Sequence, residues 1–151
     1  LLNDDLRNSG LQVDVFKVRA SVEYSPPLHL NPRLFIDTVI RKGTDIVLEP
    51  ADFNPLAYSV VIVASPIWIG SIAAPIQQIL KSYRGRLKHY IMLTTSGLAV
   101  NCESVMRRSE KLAKVRPLLC LNITVKEIRD IAKLMKIVRE AASRVRGSLS
   151  S

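Results

Sequence analysis

The chain has 151 residues, 48% of them hydrophobic and 23% charged, which suits one domain, 1–151, with a proper core and excludes intrinsic disorder. No apolar run reaches the length of a membrane-spanning helix, so no membrane span is expected, and no signal-peptide pattern opens the sequence. The net charge of +9 is uneven: residues 1–60 hold 6 Lys/Arg and 8 Asp/Glu, whereas residues 61–151 hold 16 and 5.

Such a basic half invites a nucleic-acid reading. Its cations have a simpler account. Lys81, Arg84, Arg86 and Lys88 fall at the end of one expected helix and in the turn beyond, and Lys111, Lys114 and Arg116 fall at the end of the next. Cations there complement the helix dipole. Nucleic acid is therefore not the expected partner. Cys102 and Cys120 lack metal-ligand spacing. Neither a metal site nor a disulfide is expected, which implies a reducing cytoplasm.

Leu1 to Ser9 reads as the tail of an amphipathic helix, with Leu2 and Leu6 four apart and Gly10 as its stop. The chain thus starts inside an element, and residues ahead of Leu1 are expected to exist. Leu11-Gln-Val-Asp-Val-Phe-Lys-Val18 alternates apolar and polar side chains, as a strand near a sheet edge does. After a loop containing Pro26 and Pro27, Asn31 caps a helix over 32–42 that stops at Gly43. Its expected buried stripe is Leu34, Phe35, Val39 and Ile40. Asp45 to Glu49 is a short extended piece.

Tyr58-Ser-Val-Val-Ile-Val-Ala-Ser-Pro-Ile-Trp-Ile-Gly70 organises the rest. The β-branched run Val60–Ala64 predicts a parallel strand buried on both faces. It should end at Ser65-Pro66, because proline cannot extend a ladder. Trp68 then falls in a loop closed by Gly70. A helix follows over 71–82, with Pro75 in its first turn. His89 to Thr95 is the next strand, followed by the polar loop Thr95-Ser-Gly-Leu-Ala-Val100 and a helix from Asn101 to Lys114. Leu118 to Val125 is a third core strand. The last helix, 128–146, should bury Ile128, Ile131, Leu134, Met135, Val138, Ala142 and Val145, end at Gly147 and fray beyond. Alternating strands and helices imply a parallel sheet between two helical layers. Loops at the carboxyl ends of its strands are where such sheets bind ligands.

These residues resemble the flavodoxin family. Ser65-Pro-Ile-Trp-Ile-Gly70, with Ala73-Ala74-Pro75 opening a helix, is similar to its middle flavin loop, and Thr94-Thr95-Ser96-Gly97 to the next. The resemblance implies a flavodoxin-like three-layer α/β/α fold with strand order 2-1-3-4-5. It also implies an FMN cofactor and electron transfer to a redox partner protein or a small acceptor such as a quinone. The family's first strand and Ser/Thr-and-Gly phosphate loop have no match here. That strand would lie between 11–18 and 58–65, and its loss would leave two ladders unpaired. Three accounts of the gap stand: residues ahead of Leu1 supply the strand, another segment fills its place, or the fold is altered; the first is expected.

Under this resemblance Ser65, Pro66, Ile67, Trp68, Ile69, Gly70, Thr95, Ser96 and Gly97 are the expected cofactor-binding residues. Trp68 offers a ring for stacking. Gly70 permits close approach of backbone N–H groups to a flavin edge. Ser96 and Gly97 suit its pyrimidine side, although Leu98 and Ala99 replace the second aromatic that many family members carry. His29 and His89 are remote from each other, and no Ser/His/Asp set or purposeful carboxylate pair appears, so no catalytic residue is expected. The flavin would carry the chemistry, as a carrier or as an FMN-dependent oxidoreductase. The alternative is a binding or structural module that keeps the fold without the cofactor. A homo-oligomer is compatible with either.

Overall fold

A computed structural model describes residues 2–150, with every side chain in that span except those of Ile131 and Ser148. Helix α1 (Leu2–Asn8) stops at Gly10, whose φ of 84° only glycine adopts without strain. Strand β1 (Lys17–Ala20) follows, then α2, which begins α-helical over Pro32–Phe35 and continues as a π-helix over Ile36–Arg41. Strand β2 is Ile46–Glu49. The central strand β3 (Val61–Trp68) turns back into the short β4 (Ser71–Ile72) and enters α3 (Ala74–Ser82). Next come β5 (Tyr90–Ser96), α4 (Cys102–Ala113), β6 (Leu119–Thr124), α5 (Val125–Arg129) and α6 (Ile131–Ser150).

The main sheet has the order β4-β3-β5-β6, with β3, β5 and β6 parallel. Alternation along these strands sends side chains to two faces. On one face Val63, Tyr90 and Met92 pack with Ile76 and Leu80 of α3 and Val105 and Leu112 of α4. On the other, Ile91 packs with Leu6 of α1 and Ala142 and Val145 of α6, joined by Val60, Ile62 and Leu119. The result is the expected three-layer α/β/α arrangement around a mostly parallel sheet.

Several local expectations change. The ladder at the first strand covers Lys17–Ala20, not 11–18, and it pairs antiparallel with β2 as a separate ribbon. Leu11–Asp14 keeps its inward-outward alternation, which breaks at the exposed Val15, and among the described residues no strand is hydrogen-bonded to Leu11–Phe16. Val60–Ala64 is only half buried apart from Val63, and Ala64 is exposed. The cause is the edge of β3 opposite β5, which among the described residues carries no strand beside Val60–Ala64.

β3 also runs through Pro66 to Trp68. The Val61 N–H donates to the His89 carbonyl, so residues 61, 63 and 65 face β5 and even-numbered residues face the other edge. Proline's missing donor thus falls on the side away from β5, where it breaks no parallel ladder bond. Ser71 and Ile72 belong to β4, not to the helix, which starts at Ala74.

In α2 the buried residues are Leu34, Asp37 and Thr38, while Phe35, Val39 and Ile40 are exposed. The π-turns rotate the stripe that a regular 3.6-residue period assigns. Asp37 is 2% exposed and accepts from the Tyr24 hydroxyl at 3.0 Å, with Arg33 and Arg41 at 3.4 and 3.5 Å. At the C-terminus, Asp130 breaks the expected helix into α5 and α6. Ile128 is exposed, whereas Val138, Ala142 and Val145 are buried as expected and Ala141 joins them. Leu134 and Met135 are partly buried, and the Ile131 side chain lies outside the described residues. Gly147 does not end α6, which reaches Ser150.

Cys102 and Cys120 form a disulfide with a Cα–Cα distance of 5.6 Å, contrary to the sequence expectation. One sulfur starts α4 and the other sits in β6, so distance along the chain concealed their proximity. Cysteine usage therefore no longer argues for a reducing compartment. Among the described residues, no helix is long and apolar enough to cross a membrane and no group of His, Cys, Asp and Glu could hold a metal ion.

Candidate functional site

The carboxyl edge of the sheet is built by register. Ser65 stands opposite Thr94, and Pro66 opposite Thr95, in the β3–β5 ladder. Thr95 and Ser96 stand opposite Ile123 and Thr124 in the β5–β6 ladder. The two loops singled out by sequence therefore leave from neighbouring strand ends on one rim.

The first is a tight hairpin rather than an open loop. Trp68 pairs with Ser71, and the two residues between them, Ile69 and Gly70, have φ of 50° and 68°. Positive φ at both positions matches the type I′ geometry that suits the twist of a hairpin. Trp68 is half-buried. Its ring meets Tyr24 edge-on, with centroids 5.6 Å apart and planes at 84°. That contact leaves at least one Trp68 face uncovered by Tyr24. Ile69 is 47% exposed on the hairpin tip.

The hydroxyls are already engaged. Ser65, 3% exposed, donates to the Pro66 carbonyl at 2.8 Å and accepts from the Ala73 N–H at 3.1 Å. It ties β3 to the start of α3 and is not presented to a ligand. Thr94 donates to Asn122 Oδ1 at 2.9 Å, and Ser96 lies within hydrogen-bond reach of the same oxygen at 3.1 Å and of the Leu98 carbonyl. Ile67 packs against the core on the α3–α4 face. Thr95 is half-buried, while Gly97 is exposed with nothing within 4 Å of the place a Cβ would take.

What the rim offers a ligand is mainly backbone. Among the described residues, the N–H groups of Ile69, Gly70 and Gly97 donate to no protein acceptor. Asn101 is bound to its helix, accepting from the Glu103 N–H at 2.9 Å, and Cys102 is in the disulfide, so neither is a ligand group. On the third strand, Thr124 and Glu127 form a capping box: the Thr124 N–H and hydroxyl donate to Glu127 Oε2 at 2.8 and 2.9 Å. These bonds hold the Glu127 carboxyl below its usual range, with the Thr124 N–H the leading cause.

Sequence reasoning missed Asn122 and Tyr24. Asn122 is the one amide in the apolar run Leu118–Ile123, and a polar side chain there signals a partner on the adjacent strand. Tyr24 lies too far from Trp68 in sequence for any local pattern to join them. Part of the basic excess is also paired: Arg116 bridges Glu103 and Glu110 at 3.0 and 3.2 Å, and Arg107 also meets Glu103 at 3.1 Å.

The chain matches no protein-family model and no curated protein. Solved structures do share its fold. A flavoprotein from Lactobacillus acidophilus NCFM, crystallised in complex with FMN, aligns with a TM-score of 0.58 and 19% identity over 80% of this chain and 82% of that one. The apo-form of the flavoprotein from the same organism, solved by NMR, aligns with a TM-score of 0.51 and 17% identity over 82% and 81%. At such identity the likeness establishes a common fold: this chain has the three-layer α/β/α fold of those flavoproteins.

Proposed function

We propose that the chain is an FMN-binding redox protein whose carboxyl rim, from Trp68 to Gly70 and from Thr95 to Gly97, holds the flavin ring. The observation that carries this reading is the convergence of two loop tips with unpaired N–H donors beside an aromatic ring. The ring end of FMN fits these residues. Trp68 would stack on it, and the N–H groups of Ile69, Gly70 and Gly97 would donate to its polar edge. Gly70 and Gly97 leave room for close approach. Ser65 drops out of the contact set and instead fixes the strand-to-helix turn behind it. Asn122 is a positioning residue that orients Thr94 and Ser96. No phosphate grip is named, because none lies among the described rim residues.

When bound, the flavin supplies the electron chemistry; the protein binds it, orients it and tunes it through backbone dipoles. The acceptor is a redox partner protein or a small molecule such as a quinone. The protein should purify yellow or take up added FMN, with flavin absorbance released on denaturation. A colourless protein that takes up no FMN contradicts the reading.

One observation favours a second reading, a binding or structural module that has lost the cofactor. The hydroxyls of Ser65, Thr94 and Ser96 are all tied internally. Unchanged melting behaviour with excess FMN supports that alternative.

A further inference from the structure

Trp68, Tyr24 and Asp37 form a line of contacts from the carboxyl rim into the protein. The two rings meet edge-on with centroids 5.6 Å apart, and the Tyr24 hydroxyl donates to Asp37 Oδ2 at 3.0 Å. Arg33 clamps the middle member: its guanidinium carbon lies 5.0 Å from the Tyr24 ring centroid, and its Nε meets Asp37 at 3.4 Å. Arg41 meets the other Asp37 oxygen at 3.5 Å. Asp37 is 2% exposed, and a carboxylate so buried is costly unless it is partnered.

Two features give this line a direction. Among the described residues the Trp68 indole N–H has no protein acceptor, whereas the Tyr24 O–H already points at a carboxylate oxygen. Loss of one electron turns an indole N–H or a phenol O–H into a strong acid, so an electron leaves most readily where an acceptor stands ready for the proton. Burial pushes the Tyr24 hydroxyl above its ordinary pKa, so the phenol starts with its proton on. Among the described residues no other tyrosine ring touches Trp68. Tyr58 and Tyr83 pack against Phe53, and the buried Tyr90 donates to the Val115 carbonyl.

We propose that Tyr24 is a redox-active tyrosine that restores Trp68 after a diffusible radical has taken an electron from it, with Asp37 receiving the phenol proton. In the first step the radical gains one electron, and the Trp68 N–H proton goes to water. In the second, one electron crosses the ring contact from Tyr24 to Trp68. Trp68 regains a proton from water, and the Tyr24 O–H proton moves to the Asp37 carboxylate. The products are a neutral indole, a neutral tyrosyl radical and a protonated Asp37. The oxidising equivalent has left the rim. The relay uses only this chain's own side chains and stands whether or not FMN binds.

Pulse radiolysis of the 1–151 chain with azide radicals tests it, because Trp68 is the only tryptophan. The indolyl radical absorption should decay as the tyrosyl absorption rises, at a rate independent of protein concentration. Tyr24→Phe, checked for an unchanged Trp68 emission maximum, should slow that decay by at least about tenfold. Tyr58→Phe is the control, since its hydroxyl also donates to a carboxylate, Asp14, at 3.0 Å, and its decay should match the parent's. Time-resolved infrared difference spectra of the parent should show a protonated carboxyl rising with the tyrosyl radical, absent in Tyr24→Phe. A decay that scales with protein concentration, or one that Tyr24→Phe leaves unchanged or Tyr58→Phe slows equally, overturns the proposal. A tyrosyl radical formed without a carboxyl signal overturns Asp37 as the proton acceptor.

Discussion

Pro66 and Thr95 stand opposite each other across the β3–β5 ladder. That pairing brings the Trp68 hairpin and the Ser96–Gly97 loop to one rim, although nearly thirty positions separate them in the chain. A parallel ladder needs a crossover, so the intervening helix α3 is what permits the two tips to be neighbours.

Gly70 and Gly97 make different predictions. Gly70 has φ of 68°, so Gly70→Ala forces alanine into a left-handed conformation at a cost of about 1–2 kcal/mol. Denaturant unfolding should show that loss. Gly97 has open space around it and no positive φ, so Gly97→Ala should leave stability within about 0.5 kcal/mol. Its FMN affinity should nevertheless fall, because the methyl group intrudes on a close approach. Unchanged affinity in Gly97→Ala removes that loop from the site.

Tyr24 links a buried charge to the ring. Its hydroxyl donates to Asp37, and its ring braces Trp68. Tyr24→Phe keeps the ring contact and removes one hydrogen bond, costing about 1 kcal/mol. Tyr24→Ala should also shift the emission maximum of Trp68, the only tryptophan. An unshifted spectrum would mean the ring is held by other neighbours.

The disulfide fastens the first residue of α4 to β6 over a separation of 18 positions. Cys120→Ala should lower stability by about 3 kcal/mol under oxidising conditions. A reducing agent should bring the parent to the same melting temperature as the variant. Identical melting of parent and variant without reductant contradicts the bond.

Glu127 sets a pH dependence. Its carboxyl is held below the ordinary value of 4.5, so its contribution is complete above that value and is lost as pH falls through the depressed one. Glu127→Gln should be less stable than the parent at neutral pH, and should lose less further stability as the pH falls from 5 to the acid transition, by about one group's worth of protons. Parallel stability curves for both proteins contradict this role.

The sequence made legible whatever periodicity and capping encode. Asn31 and Asn101 cap their helices as expected, accepting at 3.1 and 2.9 Å, and the two core strands at 90–96 and 119–124 fall within a residue or so of their expected limits. What it hid depends on contacts between distant segments or on departures from a regular period. The disulfide, the Tyr24–Trp68 contact and the ribbon of β1 with β2 are of the first kind. The exposed Phe35, Val39 and Ile40 of the π-turn are of the second. At the rim, sequence pointed to both main-chain donors and serine hydroxyls; the N–H groups of Ile69, Gly70 and Gly97 have no protein acceptor among the described residues, whereas the Ser65 and Ser96 hydroxyls turn inward to partners that no local pattern reveals.

Backbone amide shifts during an FMN titration locate the flavin on the protein. Addition of FMN should move the amide signals of Ile69, Gly70 and Gly97 together with the Trp68 indole, saturating at one FMN per chain. Shifts confined to the opposite rim around Arg84 and Lys88, or no shifts at all, contradict a flavin site at the carboxyl edge.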